Sequence, residues 1–443
     1  MNQYTFTSKH RLSLYIAMAV GLLSMIFTWL NDDVYHTRFW TNLLHNSVFF
    51  MMIAVMAAFF LTASILAYAG WVSTFKRIWE AYALFMMVGL VLMLLIGLGV
   101  YFHWHHLYHW GDEAAVAEDS ILTGKSSFLN KNWYFFGTLI FGGAWVFLAT
   151  KLRNLSLDED KHGGDSFSQH KSMRFYAAIL LPLIGFSSSA MIWQWIMSID
   201  AHWYSTLFAW YSSASAFVAM IALTILMIIF LKSNGYLKDV NENHLHDLGK
   251  YLFAISIFWT YLWFSQFMLI WYANIGEETI YFKERYNNYP VLFFLNLAVN
   301  FLVPFFILMR NDTKRKFGSL GIVAVVTLLS HWLDYFLMIK PGALITRNEA
   351  MLSHGGETHT SVMEGAHTGT AEAAHGAGEA IAHTAEHVSH FVSGFTIPGL
   401  LELGTFIGFL GLFFYFTLWT ISKASLTPKN DPYLEESLHH HVI

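Results

Sequence analysis

A run of about 20 mainly apolar residues is long enough for a helix to cross the hydrocarbon core of a bilayer. Such runs recur along almost this whole sequence, with short polar stretches between them. The expected spans are Leu12–Leu30, Val48–Gly70, Ala81–His103, Trp133–Thr150, Phe175–Met197, Tyr204–Leu231, Tyr251–Tyr272, Tyr289–Met309, Gly318–Ile339 and Ile397–Ile421. The chain is 56% hydrophobic and 12% charged, too poor in charge for a soluble enzyme of 443 residues. The expected fold class is therefore all-α, a polytopic membrane protein with about ten transmembrane helices. The first run meets Asn31-Asp32-Asp33 without room for a small-residue cleavage site, so it is read as a retained span.

Cytoplasmic loops retain Lys and Arg, which orients the chain. Eighteen of its 25 Lys and Arg residues fall on the side of the N-terminus, the even-to-odd loops and the C-terminus. Both termini are expected to be cytoplasmic. The opposite, outer side then receives the segment Trp193–Tyr211, where one apolar run ends, Ser198-Ile199-Asp200-Ala201-His202 forms a polar corner, and the next run begins. It also receives the cluster His103–Trp110, Glu277-Glu278 and the end of the ninth run.

Asp200 and His202 lie two apart, so their side chains converge only if the corner folds to make them. One reading has Asp200 capping the sixth span, with His202 and Trp203 in the interfacial aromatic belt. The other uses His202 as a proton acceptor, for which its ordinary pKa of about 6.5 suits it. His331 and Asp334 lie three apart and share one helix face. An ionisable group within a span costs about 2.5–3.5 kcal/mol at its centre, so it usually marks a pathway, ligand or partner contact. A local network with Lys340 is the alternative. Gln194, Ser187–Ser189, Gln266, Asn274, Asn296 and Asn300 are further polar points within or at the ends of spans, suited to interhelical hydrogen bonds or to lining a ligand route. Glu80 and Glu402 lie near opposite membrane edges, and no continuous carboxylate relay is visible.

There is no cysteine, which removes disulfides, iron–sulfur ligation and thioether-linked haem from this polypeptide. Haem b would need two histidines at matched depth. His45, His103, His202 and His331 are the candidates, and no pair can be matched, so no haem is expected on this chain. The stretch 347–392 is rich in Ala, Gly, Glu, Thr and His, with His354, His359, His367, His375, His383, His387 and His390 spread through it. It is read as a mobile outer loop with a short helix near Ala371–His390. Its irregular His spacing gives no metal-ligand pattern, and no metal is expected. The charge distribution shows no nucleic-acid-binding face.

The runs Tyr4-Thr5-Phe6 with Lys9-His10, Thr37-Arg38-Phe39-Trp40-Thr41-Asn42-Leu43-Leu44-His45-Asn46-Ser47, and Ala69-Gly70-Trp71 with Lys76-Arg77-Ile78 resemble the second NrfD-like (polysulfide-reductase-type) membrane subunit of bacterial alternative complex III. The Ser198–Trp210 corner is similar too. The resemblance covers most of residues 4–340 and the last span, and carries no short catalytic signature. It implies two four-helix bundles, spans 2–5 and 6–9, plus two additional helices, with the corner as the hinge between bundles. The corresponding divisions are 1–47, 48–200, 201–340, 341–396 and 397–443.

The resemblance also implies a subunit without its own redox centre, in a respiratory quinol:electron-acceptor oxidoreductase of the bacterial inner membrane. Its expected partners are a paralogous NrfD-like subunit holding the main quinol site, an iron–sulfur subunit, c-type cytochrome subunits, small membrane subunits, a terminal oxidase and lipids. The expected site is an outer-side cavity for quinone (menaquinone or ubiquinone) or its protons. His331, Asp334, His202 and Asp200 would handle protons, while Trp203, Gln194 and Gln266 would line the quinone cavity. A structural, lipid-binding subunit is the alternative. A secondary transporter is a third, for which Pro182 and Pro304 form no evident repeated pair.

Overall fold

The computed structural model describes residues 3–163, 167–363 and 392–441, and of residue 350 and residues 352–363 only the helical backbone. It is 80% helical, and no strands occur among the described residues. Among the described residues, ten helices are long and apolar enough to cross a membrane: Ser8–Leu30, Thr37–Leu66, Lys76–Tyr101, Lys131–His162, Ser168–Ile199, Thr206–Ser233, Glu242–Ala273, Pro290–Leu308, Phe317–Glu349 and Leu400–Ile421. The chain is a multi-pass membrane protein.

Spans 2 to 5 pack on one another, as do spans 6 to 9, and the first and tenth spans pair with each other. The second span also packs on the sixth and ninth, and the fifth packs on the sixth. Burial follows this order. The second, sixth and ninth spans are 83, 78 and 72% buried over their apolar stretches, against 22% for the first. Three central helices thus join the two groups.

The second span begins at Thr37 rather than Val48, so the expected division after residue 47 falls inside a helix. Its polar first turns carry Asn42, His45 and Asn46, all buried and hydrogen-bonded. The third span likewise begins at Lys76 rather than Ala81, taking Lys76, Arg77 and Glu80 into the bundle. Hydropathy misses such turns because it scores a side chain without its partner. The ninth helix continues through Pro341, past the expected end at Ile339, to Met363. The helix expected near Ala371–His390, and the His367–His390 part of the His-rich stretch, lie outside the described residues.

Pro182 and Pro304 sit inside continuous helices. A bridge between Gln3 and Ser425 places the chain's two ends on one face, called here the termini face. The Ser198–His202 corner lies at the other.

Candidate functional site at the junction of the bundles

The ninth span presents His331 and Asp334 to the interior of the second bundle, and both are fully buried. Asp334 accepts hydrogen bonds from Tyr211 of the sixth span, from Trp259 Nε1 of the seventh at 2.9 Å, and from Asn296 Nδ2 of the eighth at 2.7 Å. Asn300 extends this by donating to Asn296 Oδ1 at 2.7 Å. His331 Nδ1 lies 2.9 Å from Ser215 Oγ, its Nε2 has no partner, and its ring meets Trp259 edge-on. All four helices of the bundle therefore contribute to one polar cluster, with three donors directed at a single carboxylate. The i, i+3 spacing placed His331 and Asp334 on one face, and the structure places them together.

Next to this cluster is a small cavity of about 20 Å³, lined by Tyr211, Gln266, Tyr281, Arg285 and Asn296 among others. Gln266 is buried and its Nε2 has no partner. A volume of this order holds about one water and excludes a quinone ring. Gln266 shares the lining of this cavity with Tyr211 and Asn296, both of which donate to Asp334.

Arg285 connects the small cavity to the corner. It comes from the short helix Gly276–Asn288, and Nη2 lies 3.0 Å from Asp200 Oδ2. Its Nε donates to Leu337 O at 2.9 Å, and its guanidinium lies 3.3 Å from the centre of the Tyr281 ring. Asp200 therefore does not cap the sixth span. The cap position is Ser205, which makes no side-chain cap bond. A buried arginine with an open donor fork competes better for the carboxylate than helix N–H groups that the corner directs elsewhere. In the sequence Arg285 is one charge in the polar stretch between the seventh and eighth apolar runs. The visible signal was Tyr281, Phe282 and Arg285 at i, i+1 and i+4, the buried face of that helix.

His202 turns away from Asp200. Its Nε2 lies 2.5 Å from Asp119 Oδ2 in the loop between the third and fourth spans, and it is exposed. Asp119 also caps the helix Ser120–Lys125 through Ile121 N and Leu122 N. The His202 hydrogen bond, with these backbone bonds, holds the Asp119 carboxyl down to about 2. The two corner residues thus serve different contacts. Lys340 is also separate from Asp334. It donates to Asn42 Oδ1 at 2.6 Å, beside the paired Arg38 and Glu402, whose Nε and Oε1 lie 2.7 Å apart. The side chain leaves the ninth helix toward the second and tenth spans, so the alternative of a local network between Lys340 and Asp334 does not form.

An open cavity of about 380 Å³ lies at the corner, lined by Lys125, Phe128, Trp193, Met197, Trp203 and Tyr204 among others. Lys125 Nζ donates to Ala201 O at 2.7 Å and His202 O at 3.1 Å. Trp193 Nε1 is buried without a partner. Trp203 donates to Glu278 O and stacks on Tyr281, ring centres 4.1 Å apart at 15°. Trp203 therefore lines the open cavity, and the ring it stacks on lines the small one. Gln194 is fully buried in the fifth span, with neither side-chain atom partnered, and lines neither cavity.

Neither a protein-family model nor a curated protein matches this chain.

Proposed function

We propose that this chain is a membrane subunit of a respiratory quinol-oxidising complex, with the corner cavity taking a quinone ring and the Asp334 cluster handling its protons. The carrying observation is the order of groups across the junction. An open cavity of about 380 Å³ is bounded by Trp203, Trp203 stacks on Tyr281, and Tyr281 lines the small cavity shared with Tyr211 and Asn296, which donate to Asp334. Cavities in this size range bury small ligands with mostly apolar walls and a few placed polar groups. The Asp334 carboxyl is fully buried within a span, and an ionisable group placed there usually marks a proton or ligand pathway. The chain offers no thiolate ligand, so electrons would pass to centres held by iron–sulfur and c-type cytochrome partners. The membrane is the bacterial inner membrane and both termini are cytoplasmic on this reading, which leaves the corner at the outer face.

Replacing Asp334 by Asn in the assembled complex is expected to lower quinol oxidation by roughly a hundredfold. Trp203→Ala is expected to raise the apparent KM for quinol with a smaller effect on kcat. Steady-state turnover measures both, and wild-type kinetics in the two variants would remove the reading.

A second reading, a structural and lipid-binding subunit, is favoured by the C-terminal tail, which bonds to both bundles at the termini face. It predicts that deletion of the chain blocks assembly while Asp334→Asn leaves turnover unchanged.

A further inference from the structure

A second cavity, of about 210 Å³, opens in the seam between the bundles, with walls from the second, fifth, sixth and seventh spans. Helical periodicity sets it directly beneath the corner cavity. On the fifth span, Ser189 of the lower cavity and Trp193 of the upper are four residues apart; on the sixth, Thr206 of the upper and Trp210 of the lower are four apart. Residues at i and i+4 share a face one turn apart, about 5.4 Å along the axis. The two cavities therefore follow one another down the same groove.

Their linings differ in the order an amphiphile requires. The upper cavity holds Lys125, the buried unpartnered Trp193 Nε1, and the start of the sixth span, whose Ser205 makes no side-chain cap bond. The lower is walled mainly by Met56, Phe59, Phe217, Ile255 and Phe258, with three serines as its polar points and no charged residue. Its lining includes Gly185, an exposed position where an added Cβ would meet no atom within 4 Å. Trp210 and Phe258 at its rim are 60 and 41% exposed, so the slot opens sideways toward lipid.

We infer that the lower cavity is the tail slot for an isoprenoid quinone whose ring occupies the corner cavity. This rests on the quinone reading above. A phospholipid fits the groove less well. Lys125 is the cation lining the upper cavity, and it already donates to two carbonyls, leaving one N–H for a neutral ring oxygen rather than a charged cluster for a phosphodiester. In the bilayer an isoprenoid tail is already out of water. The slot therefore selects by packing rather than by hydrophobic transfer, and its contribution is modest, about three- to tenfold in affinity.

The test uses the full chain in phosphatidylcholine nanodiscs, with two naphthoquinones of identical ring, one tail-less and one with a long isoprenoid tail. Binding is read from quenching of tryptophan fluorescence, since Trp193 and Trp203 line the upper cavity. Wild type is expected to prefer the long-tailed compound by about three- to tenfold. A Gly185→Ala, Gly185→Leu, Gly185→Phe series should erase that preference progressively while tail-less binding stays within about twofold. A long-tail preference that survives Gly185→Leu, or a co-purified phospholipid that long-tailed quinone fails to displace, overturns the slot. If wild type binds neither compound, or if Trp203→Ala leaves both affinities unchanged, the ring site itself falls and the slot with it.

Discussion

Asp200 and His202 stand two positions apart and belong to different contacts, one with Arg285 of the interfacial helix and the other with Asp119 of an earlier loop. Their nearness in sequence carried no information about their chemistry. For His331 and Asp334 it did, because three residues along a helix fix a common face whatever that face packs against. What it could not supply was the identity of the donors, since Tyr211, Trp259 and Asn296 lie 123, 75 and 38 positions away. A pH-dependent contact belongs to this scale as well. His109 lies 3.4 Å from Glu349 at the end of the ninth span, and that carboxylate raises its pKa above the ordinary 6.5. A histidine raised on folding contributes stability that is complete below its unfolded pKa and is lost as pH rises through the folded one. The 103–111 segment should therefore loosen from the ninth helix as pH climbs above about 6.5, seen as faster hydrogen exchange in that segment. In Glu349→Gln the pH dependence should disappear, and an unaltered profile would assign the contact to other groups.

Among the elements, the first and tenth spans show how two mostly lipid-exposed helices hold together without a hydrophobic driving force between them. Small residues let their backbones meet. A Cβ built on Gly21 would lie 2.4 Å from Gly408 Cα, and Ser24 fills the space against Gly404. Gly408→Leu is expected to part the helices, at a cost of about 1–3 kcal/mol by the usual scale of overpacking. Because the chain has no cysteine, a pair introduced at Ala17 and Gly411 would report this: it should cross-link under oxidation in the parent and fail to in Gly408→Leu. Equal cross-linking in both would show that the close approach is dispensable. The element boundaries divide by chemistry. Uninterrupted apolar runs were legible, whereas the starts of the second and third spans were not, because Asn42, Lys76 and Glu80 are tolerated only through partners far along the chain.

For the molecule as a whole, the tail after the tenth span straps the termini face. Lys429 N donates to Asp160, Asp431 pairs with Lys76, and His440 Nε2 lies 2.7 Å from Asp247 of the seventh span, so one segment bonds to both bundles. Asp431→Ala would leave Lys76 buried with Glu159 at 4.0 Å as its nearest carboxylate. Breaking a buried pair on one side costs about 3–5 kcal/mol, so thermal stability should fall clearly and be recovered in part by adding Lys76→Met. Absence of that recovery would show the loss comes from the tail's other contacts. The number of helices, their class and their crossing of a membrane were determined by the sequence itself, because in a bilayer each span must satisfy its own backbone and repel few charges, a local property. The choice of Arg285 for Asp200, the cluster around Asp334 and the two stacked cavities in the seam were decided only by tertiary structure. They depend on which faces of distant helices meet, and a carboxylate or a void acquires its chemistry from neighbours that the chain brings in from far along its length.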